Sequence, residues 1–212
     1  MAAAVVGFYV VAILAIAGLR WIDPPTTSVQ IERRLEAWRT HKRYQKRYQF
    51  VPASRISADL RHAVVAAEDT RFAEHSGFDW VEVRKVLEQD LEKGKLGRGG
   101  STISQQLVKN LFLTTSRSMI RKGVEFTLTP LVELILGKDR ILELYLNVIE
   151  WGPGVYGAEA ASRYWYNLPA ARVDREQAAR LAGVIPAPRR RRPDRMDGYS
   201  AIILTRMKQM GW

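Results

Sequence analysis

Cysteine is absent from the 212 residues, so neither disulfides nor thiolate metal sites contribute, and stability must come from packing. No redox compartment can be read from such a chain. Acidic residues are scarce beside basic ones: 22 Asp and Glu face 33 Lys and Arg, for a net charge of +11. That balance favours an anionic partner such as phosphate, nucleic acid or an acidic bilayer, without choosing among them. Internal repeats and low-complexity tracts are missing, and strand-like alternation is scarce beyond Pro52. The length suits one medium domain with a short appendage and hardly two full domains.

One long apolar run is present. Ala2 to Leu19 carries no charge over 18 residues, and as a helix it would span roughly 27 Å, close to a hydrocarbon core of about 30 Å. It reads as a membrane helix. A cleaved signal peptide is the alternative, since Ala15, Ala17 and Gly18 are small, but the stretch exceeds a usual signal core and lacks a basic leader. Asp23-Pro24-Pro25 breaks that helix. Gln30 to Tyr48 then mixes Arg and Lys with Trp38, Tyr44 and Tyr48, which suits either an anionic headgroup layer or a solvated basic helix. The positive-inside rule would hold this segment in the cytoplasm. The expected organisation is an anchor over 1–20, a basic juxtamembrane segment over 21–50 and a mainly α domain over 51–212.

Within that domain, Leu60, Ala63, Val64 and Ala67 form one helical stripe and Trp80, Val83, Leu87 and Leu91 another. A glycine-rich loop, Gly94 to Gly100, leads into Thr102, whose spacing to Gln105 fits a capping box. Later helices are predicted over Ser118–Leu136, Arg140–Ile149, Val155–Tyr166 and Arg175–Ile185, the last capped by Asp174 with Gln177 and ended by Pro186 and Pro188. A final amphipathic stretch runs from Ala201 to Met210.

Glu68, Asp69, Phe72, His75 and Gly77 lie where an apolar stripe gives way to a loop, a place for a general base on a cleft rim. Ordinary surface acids, or a metal cluster of His75 with the two carboxylates, fit the same residues. In the next stretch Ile103, Leu107 and Leu111 share one helix face, and Thr102, Gln105, Gln106 and Lys109 lie nearly opposite. With Ser101 and Asn110 beside it, that polar face and the free N–H groups of the helix start suit a phosphate or a sugar, or else an exposed surface. Arg117, Arg121 and Glu125 follow at i+4 steps with Lys122 alongside, either a salt-bridged surface or, with Lys109, a pyrophosphate clamp. Ile141, Leu142, Tyr145 and Leu146 have core spacing, whereas Lys138, Arg140 and Asn147 remain open.

Taken in order, EDTRFAEHSG, GGSTISQQLVKN, RKGVE and KDRILELYLN resemble the successive motifs of the peptidoglycan glycosyltransferase family, whose lysozyme-like domain also stands at the front of bifunctional penicillin-binding proteins. The similarity continues through GPGVYGAEAA and VIPAP, covers about Val51 to Trp212, and leaves no chain for a transpeptidase domain. It is closest to the monofunctional, membrane-anchored branch. The resemblance implies a mainly α, lysozyme-like glycosyltransferase domain with an N-terminal transmembrane helix in the bacterial inner membrane, its catalytic domain on the periplasmic side. The implied substrates are lipid II and the growing glycan strand, with other cell-wall synthases as companions and no nucleic acid. Glu68 would deprotonate the acceptor's 4-hydroxyl. Lys109, Arg117 and Arg121 would stabilise the departing pyrophosphate, and Glu125 would organise those cations or assist the leaving group. Ser101, Thr102, Gln105, Gln106, Asn110 and Lys122 complete the expected substrate contacts. No cofactor is required; family enzymes are often helped by a divalent cation, magnesium or manganese, for which nothing here forms a dedicated metal site.

Two features depart from the family pattern. Arg189 to Arg192 is unusually basic and suggests a membrane-facing patch, and the anchor lacks a basic cytoplasmic flank. The rival readings are a lysozyme-like glycan hydrolase, which needs no pyrophosphate clamp, and a non-catalytic anchored module that binds anionic lipid or nucleic acid through its basic surface.

Overall fold

The computed structural model describes residues 2–93, 100–116 and 118–212, so most of the expected glycine-rich loop and Arg117 lie outside the described residues. The chain is mainly helical, as its periodicity predicts. Helices α1 (Ala2–Gly18) and α2 (Ser28–Arg39) come first, followed by the short strand β1 (Arg47–Tyr48). Then come α3 (Ala58–Glu68), α4 (Trp80–Lys93), α5 (Ile103–Phe112), α6 (Met119–Leu136) and α7 (Lys138–Val148). Strands β2 (Glu150–Gly152) and β3 (Val155–Tyr156) lead to α8 (Ala158–Tyr166), α9 (Arg175–Val184) and α10 (Asp197–Gln209).

Local chemistry sets most of these boundaries. The Ser57 side chain accepts from Leu60 N–H to start α3, and both halves of the expected capping boxes form, Thr102 with Gln105 on α5 and Asp174 with Gln177 on α9. The stripes of α3 and α5 are buried, α3 on α9 and α10 and α5 on α6 and α7, whereas the stripe expected on α4 finds no cover: Trp80, Val83 and Leu87 are exposed, and the Leu91 side chain lies outside the described residues. Leu60, Ile103, Leu107, Leu128, Ile141, Leu144 and Tyr145 are fully buried where these layers join. The final helix begins at Asp197, a turn before the predicted start.

Two expectations change. Val155 and Tyr156 do not open a helix; they form β3, parallel to β1 and antiparallel to β2. Gly157 has φ +85°, and a Cβ there would stand 2.5 Å from the Asn147 carbonyl oxygen, so the chain turns sharply before α8 can start. The first helix is also shorter than its apolar run, because Leu19 already lies in a turn. At 17 residues α1 is about 25 Å long, and among the described residues no helix is long and apolar enough to cross a membrane. One face of α1 is covered: Ala12 and Ile16 are buried, the helix packs on α6, and Tyr9 Oη shares a 2.6 Å hydrogen bond with Thr127 Oγ1. Its other face leaves Val6, Val11 and Leu14 exposed.

Asn147, open in the sequence, has a structural task. Its carboxamide accepts from Val51 N–H and donates to the Val51 carbonyl, both at 2.9 Å, pinning the chain that enters the domain to α7. Asn147→Ala leaves those groups buried and unpaired and is expected to cost about 2–3 kcal/mol. In urea unfolding the midpoint should fall with an unchanged slope.

Candidate active site

Glu68 is the last residue of α3, and the next residue builds the frame around it. The buried Asp69 carboxylate accepts from the Ile103 N–H at 3.0 Å and pairs with His75 Nε2 at 2.9 Å, tying the start of α5 to the end of α3. His75 Nδ1 in turn accepts from Gly77 N–H, which leaves Nε2–H to donate to Asp69. One turn along α5, Gln106 therefore arrives beside Glu68, and its Nε2 donates to Glu68 Oε2 at 2.7 Å. The other end of the same carboxamide accepts from Tyr145 Oη on α7 at 2.9 Å. With the phenol on its carbonyl end, the amide must present N–H to the carboxylate.

Burial raises the Glu68 pKa above the ordinary 4.5 and neighbouring Asp69 adds to the rise, while the Gln106 bond and the charges of Lys109 and Arg191 oppose it. Burial, with Glu68 and Asp69 nearby, also holds the Tyr145 phenol well above its usual range, so it stays a donor. A carboxylate of raised basicity on a cleft wall can take a proton from a hydroxyl.

Two clefts meet at this bridge. Gln106 lines one of about 590 Å³ together with Lys109, Asn110 and residues 185–190, while Glu68 lines another of about 470 Å³ with Ser101, Tyr199 and Arg206. The Lys109 side is cationic. Glu125, buried on α6, accepts from Arg121 Nη1 at 2.5 Å and from Lys122 Nζ, gathering both cations on one helix face. Burial lowers the Lys109 pKa, with Arg121 and Lys122 adding to the effect and Glu125 and Glu68 opposing it. Such a cluster can neutralise charge on a departing phosphate group.

The other expected contacts divide. Asn110 lines the Lys109 cleft and Ser101 the Glu68 cleft. Thr102 and Gln105 line up differently: the Thr102 hydroxyl donates to the Gly77 carbonyl at 2.7 Å, and the Gln105 carboxamide oxygen accepts from Thr102 N–H at 3.0 Å. Both side chains are buried in building the helix start, although Thr102 also borders the Glu68 cleft. Asp69 and His75 are engaged as described, and among the described residues no group of three or more His, Asp or Glu side chains is arranged to hold a metal. Tyr145 was hidden in a core stripe; its only signal was a hydroxyl among aliphatic neighbours. In the arginine run Arg189 pairs with Glu36, Arg190 lines the Lys109 cleft, Arg191 donates to the Gly183 carbonyl and Arg192 pairs with Asp194, while Arg189, Arg190 and Arg192 stay exposed.

A family model described as Transglycosylase matches residues 34–208. The chain belongs to the transglycosylase family. It is 48% identical over 191 residues to a biosynthetic peptidoglycan transglycosylase of Dechloromonas aromatica, covering 88% of this chain and 83% of the relative. A protein of the same description from Laribacter hongkongensis is 46% identical over 170 residues, 80% of this chain and 75% of its own. One from Ectopseudomonas mendocina is 44% identical over 202 residues, 93% and 83% of the two chains. The transglycosylase match takes in the second half of α2 and every candidate site residue.

Because the folded-state pKa of Glu68 is raised, folding takes up a proton between the unfolded and folded values, and stability is lost as pH rises through that window. Glu68→Gln keeps an acceptor for Gln106 without a buried charge. Its thermal unfolding midpoint is expected to exceed the parent's at pH 7, with the gain fading towards pH 4.

Proposed function

We propose that this transglycosylase polymerises peptidoglycan strands from lipid II, with the acceptor in the Glu68 cleft and the growing strand in the Lys109 cleft. The observation that carries this reading is the Glu68–Gln106–Tyr145 bridge, which stands between a cleft holding a base and one lined by Arg33, Lys109, Arg189 and Arg190. A glycosyl transfer needs that division. Glu68 takes the proton of the acceptor's 4-hydroxyl, the hydroxyl oxygen attacks the anomeric carbon of the donor strand, and the bond from that carbon to the diphosphate oxygen breaks. The α-linked donor becomes a β-1,4 product, so configuration inverts and no sugar–enzyme intermediate forms. The electron pair departs with undecaprenyl diphosphate, whose charge Lys109, Arg121, Lys122 and Arg117 stabilise. Glu125 holds Arg121 and Lys122 for that task.

Each chemical step needs only these side chains; a divalent cation would assist by binding the leaving diphosphate. The enzyme's place would be the outer face of the bacterial inner membrane, near other cell-wall synthases. Support for the bilayer comes from apolar surface: Val6, Val11 and Leu14 on α1, Trp80 and Leu87 on α4, and Met119, Ile120 and Leu134 on α6 are all exposed. Residues 1–20 would serve as a single-pass anchor. Carbonate washing of membranes that carry the full chain is expected to leave it in the pellet, whereas release into the supernatant would contradict an integral anchor.

Incubation with lipid II is expected to yield long glycan strands. Glu68→Gln should lower the rate by about 10² to 10⁴ with little change in binding. Lys109→Met should lower it by a comparable factor, through lost leaving-group stabilisation. Shortening of preformed strands without synthesis, or full activity in Glu68→Gln, would refute the assignment.

A further inference from the structure

Helix α2 carries none of the residues placed in the reaction so far, yet two of its carboxylates hold separate segments of the Lys109 cleft rim. Glu32 accepts from Thr115 twice, from the N–H at 2.8 Å and from Oγ1 at 2.9 Å. Thr115 belongs to the α5–α6 connection and lines the cleft. One turn along α2, Glu36 accepts from Arg189 Nη1 at 3.1 Å through both oxygens, and Arg189 lines the same cleft from the turn after α9. Between them Arg33 donates to Glu36 at 3.0 Å and stands 3.4 Å from the buried Glu150, which anchors the helix to β2. Val29, buried beneath, contacts the cleft as well.

These rim contacts are exposed. Surface ion pairs of that kind contribute little to folding, so their consequence lies in where they hold the rim. The α5–α6 connection and the turn after α9 are far apart in sequence, and α2 bonds to both through carboxylates four residues apart on one helix face. We propose that α2 is a clasp that sets the width of the Lys109 cleft, with Glu32 and Glu36 as positioning residues for its two rim segments. This rests on the reading that the growing strand lies in that cleft. A strand retained between additions is held along its length, so a clasp over the donor side governs how many sugars are added before release.

The width can be measured without any turnover. Because the chain has no cysteine, Thr114→Cys and Arg190→Cys place two spin labels on the rim segments without background. A narrow distance distribution is expected in the parent and a broad one when Glu32→Ala and Glu36→Ala are combined. An unchanged distribution overturns the clasp, whether or not the enzyme polymerises. In detergent micelles with lipid II, the same two changes are expected to raise KM about three- to tenfold and shorten the strands. Turnover at saturation and the melting temperature should stay near the parental values, and Glu32→Gln, which keeps an acceptor for Thr115, should retain most of the strand length. Parental KM and strand length, or losses that follow thermal stability alone, contradict the positioning role. A parent chain that makes no polymer from lipid II would instead overturn the proposed function and leave the distance measurement to decide the clasp.

Discussion

The Gln106 carboxamide is held at both ends, by the Tyr145 phenol and by the Glu68 carboxylate, and this bridge joins α7, α5 and α3 at one point. Its geometry leaves little freedom. The hydroxyl on one end forces an N–H toward the other, so Glu68 keeps a donor on Oε2 and stays aimed along the wall between two clefts. Without the bond, a carboxyl raised in pKa by burial would be raised further, since the Gln106 interaction is the largest influence opposing that burial. Basicity and position are thus set by the same contact.

Around this point the fold assigns different tasks to neighbouring residues. Asp69 ties two helices together while Glu68, adjacent to it, faces a cleft. Gln105 closes a capping box while Gln106 supports the base. Glu125 gathers Arg121 and Lys122, and Arg33, Lys109, Arg189 and Arg190 line the cleft beyond Gln106, so positive charge is concentrated on one side of the bridge. Differential electrostatics of this sort separates a group that accepts a proton from groups that receive a leaving anion.

Much of this was legible in the amino-acid order. The apolar stripes of α3 and α5, the two capping boxes and the Arg121–Glu125 spacing rest on helical periodicity, which tertiary packing preserved. The short strands were not legible, because two residues are too few to show alternation; Val155 and Tyr156 therefore read as a helix start. Tyr145 looked like core because its ring is core, and only the arrival of Gln106 from another helix gives its hydroxyl a purpose. The capping spacing marks Gln105, but it does not show that Gln105 is thereby withdrawn from the polar face while Gln106 reaches Glu68 on another helix. The α2 contacts reach 83 and 153 residues along the chain, a separation no local pattern reports.

The pH dependence of kcat/KM with lipid II tests the role of Glu68 most directly, since it reports the ionisation of the free enzyme's essential base. The acid limb should fall with a midpoint above the ordinary glutamate value of 4.5, and Glu68→Gln should remove that limb along with most of the rate. A limb at or below that value, or one that survives unchanged in Glu68→Gln, would show that another group takes the proton.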